Sequence, residues 1–138
     1  SCDHDDVVLT QERMTEAYRR IHQLESPLIR RLYSALECNP RVTLVSSRHS
    51  SSNNNHLPIV CLRHDVYSCK DIVDHCTKGG IICRSGTFLS TKMLLMQDEN
   101  DDSTNDDGGS VCRFSLAHYN TMEEVDRCFK HFETLPNF

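Results

Sequence analysis

The stretch VCRFSLAHYNTMEEVDRCF, Val111 to Phe129, decides most of the fold because it contains a strand and a well-marked helix start. The apolar segment 110–118 predicts the strand. Thr121 and Glu124 then form an S/T-x-x-E capping box, in which each side chain satisfies a backbone amide of the first helical turn. Apolar residues follow at helical spacing and predict the buried face: Val125, Cys128, Phe129 and Phe132. The stretch therefore predicts a strand that leads directly into an amphipathic helix.

The rest of the chain predicts a long first helix and three more strands. From Leu9 to Cys38 apolar residues recur at helical spacing, namely Met14, Ala17, Ile21, Leu24, Leu28, Leu32 and Leu36. Ser26-Pro27 predicts either a kink in this helix or a fresh start with Ser26 as its N-cap. The remaining predicted elements are strands at 41–47 and 57–63, a helix at 68–78 ended by Gly79-Gly80, a strand at 81–86 and a short apolar helix at 88–96.

This order of elements predicts the α+β class: a small, mainly antiparallel sheet of about four strands, with helices packed on one side and a long N-terminal linking helix. With 138 residues the chain has room for one domain, which we assign to residues 9–138 after a disordered linker at 1–8. The segments 47–56 and 97–110 predict disordered polar loops, because they offer almost no apolar area for burial.

Composition argues against several kinds of partner. The formal net charge is -5, and six of the acids lie in the loop at 97–110, so the remainder is nearly neutral. No basic patch with interleaved aromatics is present, so nucleic acid is not an expected partner. No apolar run approaches the roughly 20 residues of a membrane helix, and the acidic start is unlike a signal peptide. We therefore expect a soluble chain with no membrane partner.

The eight cysteines contain no C-x-x-C pair, and most have apolar neighbours. This pattern favours reduced thiols in the core, with disulfides or a zinc site as the alternatives. Reduced thiols favour a reducing intracellular compartment, the cytoplasm.

No complete catalytic or metal-binding centre is visible in the sequence. His64-Asp65 is interpreted as a surface pair, and His75-Cys76 as one exposed side chain beside one buried. Arg84 and Arg113 are different from these two pairs, because each arginine lies in a segment that is otherwise typical of a core strand. A half-buried guanidinium is costly unless it meets an anion. The two arginines therefore form internal ion pairs, reach water at a sheet edge, or bind an anionic ligand.

Three stretches carry a resemblance to a known family: HQLESPLIRRLYSAL, GIICRSG and CRFSLAHYNTMEEVDR. The last contains R-x-S-x-x-x-Y-N-T-x-E-E-[VI]-D, and the likeness covers roughly 9–135 outside the polar loops. The chain resembles the small domain of the class V aminotransferases, pyridoxal-phosphate enzymes of fold type I that include the cysteine desulfurases. The resemblance implies a homodimeric enzyme acting on an amino acid, whose separate large domain carries the cofactor and its Schiff-base lysine.

The resemblance also assigns roles to single residues. Arg113 matches the arginine that grips the substrate α-carboxylate, so its guanidinium is expected at the end of its strand, near Arg84 and without an acidic partner. Arg84 matches an arginine at the edge of the same cleft. Four further residues match the turn into the last helix and are expected to be structural: Tyr119, Asn120, Thr121 and Glu124.

Two departures from the family matter. Cysteine desulfurases have an attacking cysteine in the loop after the R-[ST]-G turn, where this chain has Leu89 and no Cys between Cys83 and Cys112. The chain also lacks a lysine in the His-Lys context of a Schiff-base site. We therefore expect a fragment that is monomeric and binds no pyridoxal phosphate alone, with no catalytic residue and no metal. The alternative is a free-standing binding or regulatory module with this fold.

Overall fold

A computed structural model describes residues 10–45, 57–88 and 109–136 of the chain. These residues form an α+β domain, as predicted, with a four-stranded sheet and three helices. In chain order the elements are α1 (Gln11–Glu37), β1 (Val42–Leu44), β2 (Ile59–His64), α2 (Cys69–Lys78), β3 (Arg84–Gly86), β4 (Val111–Ser115) and α3 (Met122–Phe132). The helix predicted at 88–96 and nearly all of the two polar loops lie outside the described residues.

The sheet has the strand order β1-β2-β4-β3, and each neighbouring pair is antiparallel. In the central strands alternate residues point into the core, with Val60 and Leu62 fully buried in β2 and Cys112 and Phe114 buried in β4. Core residues of all three helices belong to the same buried cluster as these strand residues. The strands are shorter than predicted, and β3 begins only at Arg84, because residues 81–83 do not pair with β4.

Helix α1 is continuous, so a fresh start at Ser26 is wrong. Pro27 lies inside the helix, and the Ser26 hydroxyl donates to the carbonyl of His22 at 2.7 Å. The physical reason is burial beyond the proline, which outweighs the hydrogen bond that proline cannot make. The buried residues of α1 all follow Pro27: Leu28, Ile29, Leu32, Tyr33 and Leu36. The part of the predicted apolar face that precedes Pro27 is not buried in the same way, because Met14 and Leu24 are exposed.

Both shorter helices begin with a capping box. Ser68 caps α2 with Asp71, and Thr121 caps α3 with Glu124 as predicted. The C-terminal ends of the two helices meet through the rings of His75 and His131, which stack with centroids 4.2 Å apart. Each ring also donates from Nε2 to the other residue's carbonyl oxygen, at 3.0 and 2.9 Å. This reciprocal pair ties α2 to α3.

The interpretation of His64-Asp65 as a surface pair is wrong for the histidine. His64 is the last residue of β2 and is buried, because the inward alternation of Val60 and Leu62 continues to it. Its Nδ1 accepts from the backbone amides of Val66 and Tyr67 at 3.1 and 3.3 Å. Burial lowers the pKa of the His64 imidazole.

None of the seven cysteines in the described ranges forms a disulfide bond in the structure. Four of them are buried: Cys69, Cys76, Cys83 and Cys112. Within residues 10–45, 57–88 and 109–136, no group of three or more His, Cys, Asp or Glu is arranged to hold a metal ion. No helix in the same ranges has both the length and the apolar character to cross a membrane.

Candidate functional site

A cleft of about 490 Å³ opens beside the edge strand β3. Its walls are the segment 80–84, the end of β4 with the turn that follows it, and the first half of α3. Apolar side chains including Leu32 and Val125 form its floor. Polar residues line the rest: Arg84, Arg113, Ser115, Tyr119, Asn120, Glu124 and Arg127. Because Cys112 and Phe114 point into the core, the side chain of Arg113 and that of its partner Arg84 lie on the opposite face of the sheet.

The cleft exists because two neighbouring segments diverge. β3 pairs with β4 only from Arg84 to Gly86, whereas β4 continues to Ser115. The residues before Arg84 come from a tight reversal after α2, where Gly80 has φ +71° and so occupies the left-handed region that glycine adopts without strain. The gap between this reversal and the end of β4 forms the cleft.

Arg84 and Arg113 are direct cross-strand partners in the antiparallel β3–β4 pair. Arg84 is exposed and Arg113 is half-buried, with its guanidinium carbon 4.2 Å from the centroid of the Phe88 ring. Arg113 is the central residue of β4, so the expectation that it would sit at the end of the strand is wrong. The reason is that β4 pairs with strands on both sides of this position.

Neither arginine has an ion-pair partner among the residues that the structure describes. Like charges placed directly opposite each other in a sheet repel and are destabilising. An anion bound between or beside the two guanidinium groups would remove that repulsion and make charge-assisted hydrogen bonds. The arrangement is therefore suited to a carboxylate or a phosphate.

Cys61 lies on the other side of Arg113, as its cross-strand partner in β2. Burial raises the pKa of the Cys61 thiol, while the positive charge of Arg113 acts in the opposite direction. A guanidinium beside it therefore does not make Cys61 a thiolate near neutral pH, because burial has the larger effect.

The turn into α3 is held by a small hydrogen-bond network. Asn120 accepts from the Ala117 amide at 2.8 Å and donates to Glu124 Oε2 at 3.1 Å. Thr121 Oγ1 accepts from the Glu124 amide at 3.2 Å, and Glu124 Oε2 accepts from the Thr121 amide at 3.0 Å. The hydrogen bond from the Thr121 amide lowers the pKa of Glu124. These contacts engage the only carboxylate in the described lining of the cleft, while the ring of Tyr119 stays exposed.

Sequence reasoning missed four residues at the cleft. Cys83, Phe88, Arg127 and Cys128 all line it or contact Arg113. Arg127 is three positions after Glu124 on α3, so helical periodicity was a signal that placed both on one face. The position of Phe88 over Arg113 has no such signal, because it depends on the turn after β3.

A family model described as aminotransferase class-V matches residues 12–128. Three proteins are among the solved structures with a similar fold. A cysteine desulfurase from Thermococcus onnurineus NA1 has a TM-score of 0.67 at 21% identity, covering 84% of this chain and 26% of that one. The cysteine desulfurase CsdA of Escherichia coli, in its S-sulfonic acid form, has a TM-score of 0.65 at 18% identity, covering 81% and 24%.

The third structure is a NifS-like protein from Rickettsia africae ESF-5, with a TM-score of 0.59 at 20% identity, covering 82% of this chain and 28% of that one. One curated protein is also similar, a probable dual-specificity RNA methyltransferase RlmN of Clostridium acetobutylicum. It is 24% identical over 125 residues, which is 86% of this chain and 35% of that protein. The chain thus spans about a quarter to a third of the length of these relatives.

Proposed function

The chain belongs to the aminotransferase class-V family, and we propose that it is the substrate-binding C-terminal domain of a pyridoxal-phosphate enzyme that acts on an amino acid. In this proposal Arg113 holds the α-carboxylate of the substrate, and Arg84 supports it from the edge of the cleft. The complete enzyme is a homodimer, and this chain alone is monomeric.

The observation that carries the proposal is the pairing of Arg84 with Arg113 at the cleft, without an acidic partner in the described part of the chain. A guanidinium binds a carboxylate through two parallel hydrogen bonds, which fixes the orientation of the substrate as well as its position. The ring of Phe88 on one side of Arg113 limits the directions in which its guanidinium can turn.

The first half of α1 supports the presence of a second domain. Three large side chains there are exposed along this helix: Met14, Tyr18 and Leu24. Apolar surface of this kind on an amphipathic helix favours a partner that covers it. The chain spans about a quarter of the length of the similar desulfurase structures, so we assign this surface to the enzyme's own large domain.

The residues of the cleft do not fit pyridoxal phosphate itself. The cofactor binds covalently to a lysine, and an acidic or basic residue pairs with its pyridinium nitrogen. The described lining of the cleft contains no lysine that could form this bond, and the described lysines are exposed: Lys70, Lys78 and Lys130. We therefore assign cofactor binding to the large domain. Leu89, at the position of the desulfurase cysteine, lies outside the described residues.

The test uses the natural gene product that contains this chain. We expect a lysine-bearing cofactor domain upstream, and an open reading frame that starts close to Ser1 would instead support a free-standing binding or regulatory module. In the complete enzyme Arg113→Ala should lower kcat/KM by about 10²-fold or more, because a bidentate carboxylate contact in a closed site is worth about 3 kcal/mol. Cofactor absorbance should not change.

Two variants make this measurement specific. Arg113→Lys should restore only part of the activity, because lysine offers a point charge instead of a planar fork. Arg30→Ala removes the same charge from an exposed position of α1 and should leave kcat/KM unchanged. A loss of folding in Arg113→Ala without a kinetic effect in the folded fraction would contradict the assignment.

A further inference from the structure

The outward face of the sheet carries more positive charge than one substrate carboxylate requires. Arg84 and Arg113 lie on this face as direct cross-strand partners, and neither makes an ion pair with a residue that the structure describes. Arg63 of β2 lies on the same face by the alternation of its strand, but its Nε donates to the carbonyl of Ser110 at 3.0 Å. The pair formed by Arg84 and Arg113 is therefore the part of this face that is suited to a ligand.

One carboxylate does not use both members of the pair. A carboxylate that binds in bidentate fashion occupies the planar fork of a single guanidinium group. With Arg113 on the α-carboxylate, Arg84 has no anion of its own. Direct cross-strand partners have Cβ atoms about 4.5–5.5 Å apart, so a second anionic group a few bonds from the first can reach Arg84. Such a group would also remove the repulsion between the two arginines.

The two arginines are held differently. Arg113 is half-buried, and its guanidinium carbon lies 4.2 Å from the centroid of the Phe88 ring. Phe88 has a φ of 48°, in the left-handed region that bulky residues rarely adopt, and this conformation places its ring over Arg113. Arg84 is exposed. Arg113 is thus the fixed receptor, and Arg84 can adjust to side chains of different length.

The carboxylate of the described cleft lining does not fill this role. Glu124 Oε2 accepts from the Thr121 amide at 3.0 Å and from the Asn120 side chain at 3.1 Å. These contacts hold it at the start of α3, where it completes the capping box. A second anion for the arginine pair must therefore come from the ligand.

We propose that Arg84 binds a second carboxylate on the side chain of the substrate, so that the site selects acidic amino acids of the aspartate and glutamate class. This inference rests on the proposed function, because it takes Arg113 as the residue that binds the α-carboxylate. With an amino acid that has one carboxylate, Arg84 can only support Arg113. Arg84 is therefore a specificity-determining residue for the second carboxylate.

The test compares L-aspartate with L-asparagine, which has the same size but a neutral side chain. The chain, with nitrogen-15 in its arginine side chains, is titrated with each ligand in about 0.15 M salt, so that long-range attraction is screened. We expect aspartate to bind with a Kd at least about tenfold lower than that of asparagine, because it makes a second charge-assisted contact. Arg84→Gln should reduce this ratio to within about twofold. Arg30→Gln removes a charge from an exposed position of α1 and should keep the ratio of the wild type.

The outcomes separate this inference from the proposed function. Equal affinity for both ligands, with Arg113 responding to each, would overturn the inference and leave the proposed function in place. A preference for aspartate that persists in Arg84→Gln would also overturn it. No response of Arg113 to either ligand would overturn both. The comparison in the wild type needs no substitution, so it decides the selectivity for acidic amino acids even where a variant does not fold.

Discussion

Replacing Gly79 by alanine should destabilise the chain, although the backbone at this position accepts any residue. Gly79 ends α2 with φ −83° and ψ 4°. From the backbone alone, alanine should stabilise by about 0.4–1 kcal/mol, because it reduces the conformational freedom of the unfolded chain. The added Cβ, however, would lie 2.4 Å from His131 Nε2 and 2.5 Å from its Cδ2, so the ring must move.

The cost follows from the contacts that hold this ring. His131 stacks on His75, and its Nε2 donates to the carbonyl of His75 at 2.9 Å. Losing the hydrogen bond costs about 0.5–1.5 kcal/mol, and losing the ring pair costs a similar amount. After the backbone gain is subtracted, Gly79→Ala should lower the free energy of unfolding by about 1–2 kcal/mol.

Urea unfolding of a double-mutant cycle checks this prediction. In the His131→Ala background the obstacle is gone, so Gly79→Ala should stabilise by about 0.4–1 kcal/mol. Gly80→Ala is the matched control: nothing lies within 4 Å of its added Cβ, but its φ is +71°, so it should cost about 1 kcal/mol in both backgrounds. A stabilising Gly79→Ala in the wild type, or an equal loss in both backgrounds, would refute the reasoning.

Three further predictions concern stability. Burial lowers the pKa of His64, so the unfolded chain binds a proton there more readily than the folded chain, and the free energy of unfolding should fall as the pH decreases through about 6.5. Urea titrations from pH 8 to 5 should show that His64→Gln loses this pH dependence. The same pH dependence in wild type and variant would contradict the prediction. Thr121→Ala removes the cap of α3 and should cost about 1 kcal/mol, measured by thermal unfolding, with an unchanged midpoint as the opposing result. Phe132 is fully buried, and its ring forms an edge-to-face contact with Phe114. Phe132→Ala should therefore lower the free energy of unfolding by about 3–5 kcal/mol, and a decrease of less than about 1 kcal/mol would contradict its role in the core.

Local patterns in the sequence predicted the parts of the fold that local interactions determine. The capping box of Thr121 and Glu124 and the buried positions Val125 and Phe132 depend on residues within a few turns of each other. At His64 the predicted strand ended one residue too early. The alternation of Val60 and Leu62 continues to His64, but the predicted strand ended at position 63, so the imidazole was assigned to the surface.

The cleft was less predictable because it depends on contacts between distant segments. The register that places Arg84 opposite Arg113 involves a strand of three residues, which is too short for a pattern in the sequence to fix. The stack of His75 on His131 joins residues 56 positions apart.

The most direct test of the central claim is an NMR titration of the chain, with its arginine side chains labelled with nitrogen-15. L-alanine supplies an α-carboxylate, and L-alaninamide is the matched ligand without one. We predict that the Nε–H signals of Arg113 and Arg84 shift with alanine and not with the amide, while the signal of the exposed Arg30 stays in place. A folded chain in which Arg113 does not respond, or responds equally to both ligands, would contradict the claim that this cleft binds the carboxylate of an amino acid.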